Sequence, residues 1–319
     1  MAERIMVVGC DLGTEPMAYL RREFPEFTIH SFPRNAKVPD ELMEKAEVLM
    51  NYGDKSQISQ AKNVKFIHTI SAGIDGYIDE VDRCYGSDLP VSNGAGVYAD
   101  AVGEHVIALM MAVMHGICPS VKNMEKKQWT AFTMLGNVNG KTVAVLGTGD
   151  IGNNAGRICK AMGAKVNGYK LYACEPFEPY DRIFVGEDGL DEILCSADIV
   201  LICLPGSPYT KDMIDARRIA LMKKGVVIIN IGRGSILNTE ALMEGLNSGH
   251  IAAAGLDVTD PEPLPADHPL WDCPNLLITP HISGLGADKY KHAVWFAENL
   301  HAYLEGRPLP GAVNRAMKY

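Results

Sequence analysis

One stretch constrains this chain more than any other. Gly147-Thr148-Gly149-Asp150-Ile151-Gly152 follows the apolar run Thr142-Val143-Ala144-Val145-Leu146 and precedes Asn153 to Met162, which reads as a helix stopped at Gly163. In a G-x-G-x-x-G turn, Gly147, Gly149 and Gly152 permit a tight turn, close backbone approach to a pyrophosphate, and close packing of helix on strand. The helix N-terminus behind them offers N–H groups and the positive end of its dipole to phosphates. A glycine-rich turn in an ordinary α/β unit would carry the same letters, but the strand–turn–helix–strand setting favours a dinucleotide site. Asp150 cannot bind pyrophosphate through its side chain and is expected to point outward, where an acid suits a helix N-terminus.

The rest of the chain repeats the strand-and-helix alternation. Ile5–Val8, Val48–Met50, Phe66–Ile67, Thr142–Leu146, Val166–Tyr169, Ile199–Leu204, Val226–Ile231, Gly255–Val258 and Leu276–Ile278 are short apolar runs without clean polar alternation. That is the signature of strands buried on both faces of a parallel sheet, so an α/β fold is expected. Two longer helices stand out, one capped by Asp100 and running to His115, the other from Asp288 to Leu304. Six of the nine runs lie between them. The simplest organisation has two Rossmann-like, doubly wound parallel-sheet domains with an interdomain cleft. One domain comprises residues 1–98 plus 289–319, and the other residues 99–288. The two helices would be the crossings.

Composition narrows the function. Thirty basic against 39 acidic residues leave a net charge of −9, which disfavours nucleic-acid binding. An anionic ligand must therefore be met by a few placed residues and backbone N–H groups. The longest central run of Ala, Val, Ile, Leu and Met, Val106 to Met114, is far short of the roughly 20 residues of a membrane span. The N-terminal segment reads as a first strand rather than a signal peptide. Eight cysteines without a C-x-x-C pair fit a reducing cytoplasm better than a disulfide framework, and no metal-ligand spacing is present.

Where many NAD-binding proteins place an acid for the ribose hydroxyls, about 20 residues on, this chain has Lys170, 18 residues after Gly152. A lysine cannot accept those bonds but would attract a 2′-phosphate, so NADP is favoured over NAD. If Lys170 points to solvent, NAD would bind without an acidic partner. Three further strand ends carry polar residues. Arg233 follows Val226–Ile231 between two glycines, Glu262 lies between Pro261 and Pro263 beyond Gly255–Val258, and His281 follows Leu277-Ile278-Thr279-Pro280. Singly, these could be a surface charge, a solvated loop acid and a structural histidine. Together, at the open ends of strands in a dinucleotide domain, they match hydride transfer coupled to proton transfer. A guanidinium can hold a carboxylate or keto oxygen by two bonds, and histidine titrates near neutrality, with a neighbouring carboxylate favouring its protonated form.

With Gly140–Gly152, Met222–Leu242 (MKKGVVIINIGRGSILNTEAL), Gly255–Pro265 (GLDVTDPEPLP) and Thr279–Gly284 (TPHISG), the chain resembles the D-isomer-specific 2-hydroxyacid dehydrogenases, which include glyoxylate/hydroxypyruvate reductases and phosphoglycerate dehydrogenases. Ser71-Ala72-Gly73-Ile74-Asp75 resembles that family's substrate loop, though a plain turn or a loop packing on the other domain would read alike. Asn93–Val97 with Ala101–His105 resembles its hinge and first crossing helix. The resemblance implies that His281 is the acid/base, Glu262 its carboxylate partner and Arg233 the group orienting the substrate. The Gly73 and Ile74 amides would hold the substrate carboxylate. Cofactor contacts would fall on Asp150, Ile151, Lys170, Leu204, Pro205, Ile231, Gly232, Asp257, Ser283 and Gly284. It also implies a twofold dimer through the region of Ala101–His115 and Trp129. Asp150 and Lys170 depart from the family's usual Arg and Asp, and both departures concern the cofactor.

The expected activity is thus NAD(P)-dependent reduction of a small anionic 2-oxoacid to the D-2-hydroxyacid, and its reverse. Two alternatives remain on this fold. One is a dinucleotide-sensing binding protein like the C-terminal-binding corepressors, which keep the same triad. The other is a formate dehydrogenase-like enzyme, which would not need the Glu262–His281 pair. Tyr52, Tyr77 and Tyr98 lie near the predicted cleft segments but could equally belong to the core.

Overall fold

The computed structural model describes residues 3–51, 55–74, 76–131, 134–172, 174–175 and 177–316. Tyr52 and Asp75 lie outside the described residues. The strands are β1 (Arg4–Val8), β2 (Phe27–Ser31), β3 (Ala46–Met50), β4 (Phe66–Thr69), β5 (Val91–Asn93), β6 (Thr142–Leu146), β7 (Lys165–Lys170), β8 (Arg182–Val185), β9 (Ile199–Ile202), β10 (Val226–Asn230), β11 (Ile251–Leu256) and β12 (Leu276–Ile278). The α-helices are α1 (Thr14–Glu23), α2 (Asp40–Lys45), α3 (Tyr77–Tyr85), α4 (Ala99–Met114), α5 (Ile117–Glu125), α6 (Asp150–Ala161), α7 (Gly186–Ser196), α8 (Ala216–Leu221), α9 (Thr239–Ser248) and α10 (Lys289–Leu304). The chain divides into two compact units, Met1–Tyr98 with Ala287–Tyr319, and Ala99–Gly286.

The first unit is built on a five-stranded parallel sheet of order β2-β1-β3-β4-β5, the flavodoxin-like arrangement. Its apolar residues serve two layers. Met6, Val8, Val48, Met50 and Phe66 pack with Leu20 and Phe24 of the α1 side and with Phe296 and Leu300 of α10. Ile5, Val7, Leu49 and Ile67 pack with Met43, Ile78 and Val81 on the other face. Alternate residues of one strand thus feed opposite cores, which is why these strands read as continuous apolar runs. Helix α10 starts where Asp288 accepts a bond from the Tyr290 amide at 2.8 Å.

The second unit carries seven parallel strands in the order β12-β11-β10-β9-β6-β7-β8. Numbered within the unit, this is the Rossmann order with one strand added, and the order reverses between β6 and β9. Helices α8 and α9 are capped by Asp215, which accepts from the Arg218 amide at 2.9 Å, and by Asn238, which accepts from the Ala241 amide at 3.0 Å. Helix α4 buries Val102, Val106, Leu109, Met110 and Val113 along one face and leaves Ile107, Met111 and Ala112 half-buried. Among the described residues no single helix is long and apolar enough to cross a membrane. Helices α4 and α5 reach that length and composition only together, across a 66° bend.

Several boundaries differ from the sequence expectation. Strands β2, β5 and β8 were not expected: β5 has three residues, and β2 and β8 are edge strands exposing polar side chains. Strand β11 spans Ile251–Leu256 instead of Gly255–Val258. Its alanines have weak strand propensity, and Gly255 sits close to α4, since a Cβ there would lie 3.1 Å from Leu109 Cβ. Asp257 therefore stands just past the strand end. Helix α6 begins at Asp150, earlier than the expected Asn153.

Candidate active site

The glycine turn sits at the reversal point of the seven-stranded sheet. Gly147 has φ +98°, in the region where only glycine is at ease, and a Cβ there would meet Cys203 O of the β9 end at 2.8 Å. A Cβ on Gly152 would meet Gly147 O at 2.0 Å, so the third glycine lets α6 close onto β6. Gly149, by contrast, has nothing within 4 Å of its Cβ position. It caps α6 without a side-chain hydrogen bond, so no side chain covers the first helical amides through the cap. The Thr148 hydroxyl is buried without a hydrogen-bond partner among the described residues. This open, amide-lined turn fits a dinucleotide pyrophosphate. Asp150 is exposed, as expected, and Ile151 is half-buried.

Other expected cofactor residues surround the same strand ends. Leu204 and Pro205 follow β9, and Ile231 and Gly232 follow β10. Gly232 must lack a side chain because a Cβ would lie 2.4 Å from Leu204 O. Lys170 ends β7, half-buried, with its ammonium 5.3 Å above the Phe177 ring.

Arg233, Glu262 and His281 follow three neighbouring strands, β10, β11 and β12. The Arg233 turn is shaped by Asn230, a role not anticipated from the sequence. Its side-chain oxygen accepts from the Gly232 amide at 3.1 Å and its Nδ2 donates to Arg233 O at 3.0 Å. A polar residue closing an otherwise apolar strand was the available signal. Arg233 is half-buried and donates from Nη1 to Gly232 O at 2.7 Å. Gly234 lets the next loop come close, for a Cβ there would lie 2.0 Å from the Thr259 carbonyl. Thr239 then donates to Asp260 O at 3.0 Å, joining the Arg233 and Glu262 segments.

Glu262 meets the third segment directly. Its Oε1 is 2.6 Å from His281 Nδ1, and the two side chains are 41% and 46% exposed, so the histidine is reachable by a ligand. His281 holds a left-handed backbone, φ 53°, unusual for a residue with a Cβ. Asp257 fixes that conformation. Its backbone oxygen accepts from the His281 amide at 2.8 Å. Its carboxylate accepts from the Thr279 hydroxyl at 2.5 Å and from the Ile282 and Ser283 amides at 3.0 Å each. Burial alone would raise this carboxyl, but these hydrogen bonds hold it below the ordinary carboxylate range. Ser283 is buried and Gly284 half-buried beside the turn.

The segment expected to be the substrate loop belongs to the five-stranded unit. Gly73 and Ile74 follow β4 in a segment held by Asn93 Nδ2 donating to Ala72 O at 3.1 Å and by the Gly94 amide donating to Ser71 O at 3.1 Å. Tyr98 is largely buried and donates its hydroxyl to Ile70 O at 2.7 Å, so it supports this segment; Tyr77 begins α3 and packs on the core. Among the described residues no group of three or more His, Cys, Asp or Glu could hold a metal ion.

Comparison with known proteins follows the same lines. The profile of the NAD binding domain of D-isomer specific 2-hydroxyacid dehydrogenases matches residues 107–283. A hydroxypyruvate reductase of Blautia hydrogenotrophica is 31% identical over 77% of this chain and 78% of its own length. A glyoxylate reductase of Aeropyrum pernix is 31% identical over 82% and 80%. The crystal structure of a D-isomer specific 2-hydroxyacid dehydrogenase from Xanthobacter autotrophicus, in complex with NADPH and MES, covers 100% of both chains with a TM-score of 0.83 and 25% identity. The profile alone spans more than half of the chain, and the relatives extend the likeness across both units: this chain belongs to the D-isomer specific 2-hydroxyacid dehydrogenases, oxidoreductases that use a nicotinamide dinucleotide.

Proposed function

We propose that this protein reduces a small 2-oxoacid to the D-2-hydroxyacid, with His281 as the proton donor. The observation that carries the reading is the 2.6 Å contact of His281 Nδ1 with Glu262, on a turn held by four hydrogen bonds to Asp257. Nδ1 engaged by the carboxylate leaves Nε2 as the atom that faces substrate. A reduced nicotinamide dinucleotide, held by the Gly147–Gly152 turn, would supply the hydride for the keto carbon. His281, protonated and oriented by Glu262, gives its proton to the oxygen that gains charge. Arg233 stabilises the same oxygen and orients the substrate by its planar fork. The Gly73 and Ile74 amides take the substrate carboxylate, which makes the five-stranded unit the substrate-binding domain and the seven-stranded unit the dinucleotide domain. Reduction of glyoxylate or hydroxypyruvate, followed by loss of nicotinamide absorbance, tests the reading.

NADP is the cofactor this reading favours. The half-buried Lys170 ends β7, where this reading puts the adenosine ribose, and the Xanthobacter relative was crystallised with NADPH. An exposed ion pair contributes about 1 kcal/mol, so a preference for NADPH of several-fold to about tenfold is expected. Lys170→Asp should reverse it, because an acid repels the 2′-phosphate and accepts from ribose hydroxyls. The check is the kcat/KM ratio for NADPH and NADH in both forms. A wild type that prefers NADH, or a ratio unmoved by the substitution, would contradict the assignment.

The enzyme is further proposed to be a cytoplasmic homodimer, a reducing compartment being one that would keep the exposed Cys174 and Cys195 as thiols. Helix α5 buries none of its residues, and Ile117, Val121, Met124, Trp129 and Met134 are all exposed. Apolar surface of this kind favours self-association. Light scattering at micromolar concentration should give twice the monomer mass; a monomer mass would overturn the dimer.

A further inference from the structure

Helix α4 carries a histidine, His105, that the proton-transfer scheme does not use. Its side chain is 20% exposed, and its Nε2 lies 3.0 Å from Thr279 Oγ1 and 3.5 Å from the fully buried Oδ1 of Asp257. The Thr279 hydroxyl has one proton, and it points that proton at Asp257 Oδ1, which is 2.5 Å away and, as a carboxylate oxygen, can only accept. The Thr279 oxygen is therefore the acceptor in its other contact. The donor there must be His105 Nε2–H, which fixes where this imidazole carries its proton.

These groups enclose the segment that bears His281. Thr279 lies two residues before it, and the Ile282 and Ser283 amides held by Asp257 lie one and two residues after it. Asp257 stands at the end of β11, Thr279 at the end of β12, and His105 in the second turn of the helix that opens the seven-stranded unit. Without His105 the Thr279 oxygen would lose its N–H donor and the fully buried Asp257 carboxylate a polar neighbour. The Thr279–Asp257 bond would then hold the left-handed turn less firmly.

We propose that His105 is a positioning residue for His281: by donating to Thr279 it completes the hydrogen-bond set that fixes the proton-donor turn and ties that turn to α4. The catalytic part of this inference rests on the reading of His281 under Proposed function. The test compares His105→Leu, which keeps bulk without a donor, with His105→Gln, whose amide can donate from near the Nε2 position. Amide hydrogen exchange in the protein without dinucleotide reads the turn directly. In His105→Leu the Ile282 and Ser283 amides should exchange faster by on the order of tenfold, while amides of β6 keep the wild-type rate. Turnover of a 2-oxoacid should fall by on the order of tenfold with the KM for reduced nicotinamide unchanged. His105→Gln should restore most of both. Unchanged exchange at Ile282 and Ser283 in His105→Leu, or a folded His105→Gln as impaired as His105→Leu, would overturn the proposal. A wild type that turns over no 2-oxoacid would instead defeat the functional reading, and the exchange contrast alone would then decide whether His105 holds the turn.

Discussion

Replacing His281 with alanine is expected to lower turnover of the 2-oxoacid by about 10²–10⁴-fold while dinucleotide affinity changes little. The imidazole is the one titratable group on the described strand ends that is both exposed to a ligand and held at 2.6 Å by a carboxylate. Its loss removes the proton donor and leaves the glycine turn of Gly147–Gly152 intact. The substitution should be structurally mild at the side chain, because the turn is fixed through backbone and Thr279 bonds to Asp257. Stopped-flow or steady-state turnover beside a fluorescence titration of dinucleotide separates the two effects. A variant with full turnover would remove His281 from the mechanism.

Arg233→Lys is expected to reduce kcat/KM for 2-oxoacids by on the order of 10²–10³-fold, with the thermal midpoint close to wild type. Lysine keeps the charge but loses the planar fork that can meet a carboxylate or keto oxygen with two parallel bonds. The turn itself should survive, since it is shaped by the Asn230 side chain acting on the Gly232 amide and the Arg233 carbonyl. Thermal unfolding followed by circular dichroism supplies the control. If the midpoint falls in step with activity, Arg233 is a structural member of the loop rather than a ligand-facing one.

The seven-stranded unit was legible in the sequence because its chemistry is local. Gly147, Gly149 and Gly152 must be adjacent in sequence to form one turn, and the residues beyond β10, β11 and β12 are polar punctuation after apolar runs. What escaped was structure made by partners distant in sequence. The Ala252–Ala254 stretch lacks the branched apolar run of the other buried strands, so the expected strand began only at Gly255. The edge strands β2 and β8 carry exposed polar residues, so they lack the continuous apolar run that betrays a buried strand. Asp257 was expected only as a cofactor contact, and the sequence did not show that its buried carboxylate also accepts from Thr279, Ile282 and Ser283. That role depends on residues 22 to 26 positions later, and nothing in local spacing announces it. His105 likewise belonged to a recognisable helix motif without any sequence sign that it reaches Thr279, 174 residues away.

The measurement that tests the account most directly is the oxidation of NADPH and NADH by the purified protein on addition of glyoxylate, hydroxypyruvate and longer 2-oxoacids, with chiral analysis of the product. The account predicts loss of nicotinamide absorbance with at least one of these acids, faster with NADPH, formation of the D-2-hydroxyacid from a prochiral substrate, and turnover lowered by about 10²–10⁴-fold in His281→Ala. Tight dinucleotide binding without turnover of any 2-oxoacid would contradict it and favour a dinucleotide-sensing binding protein.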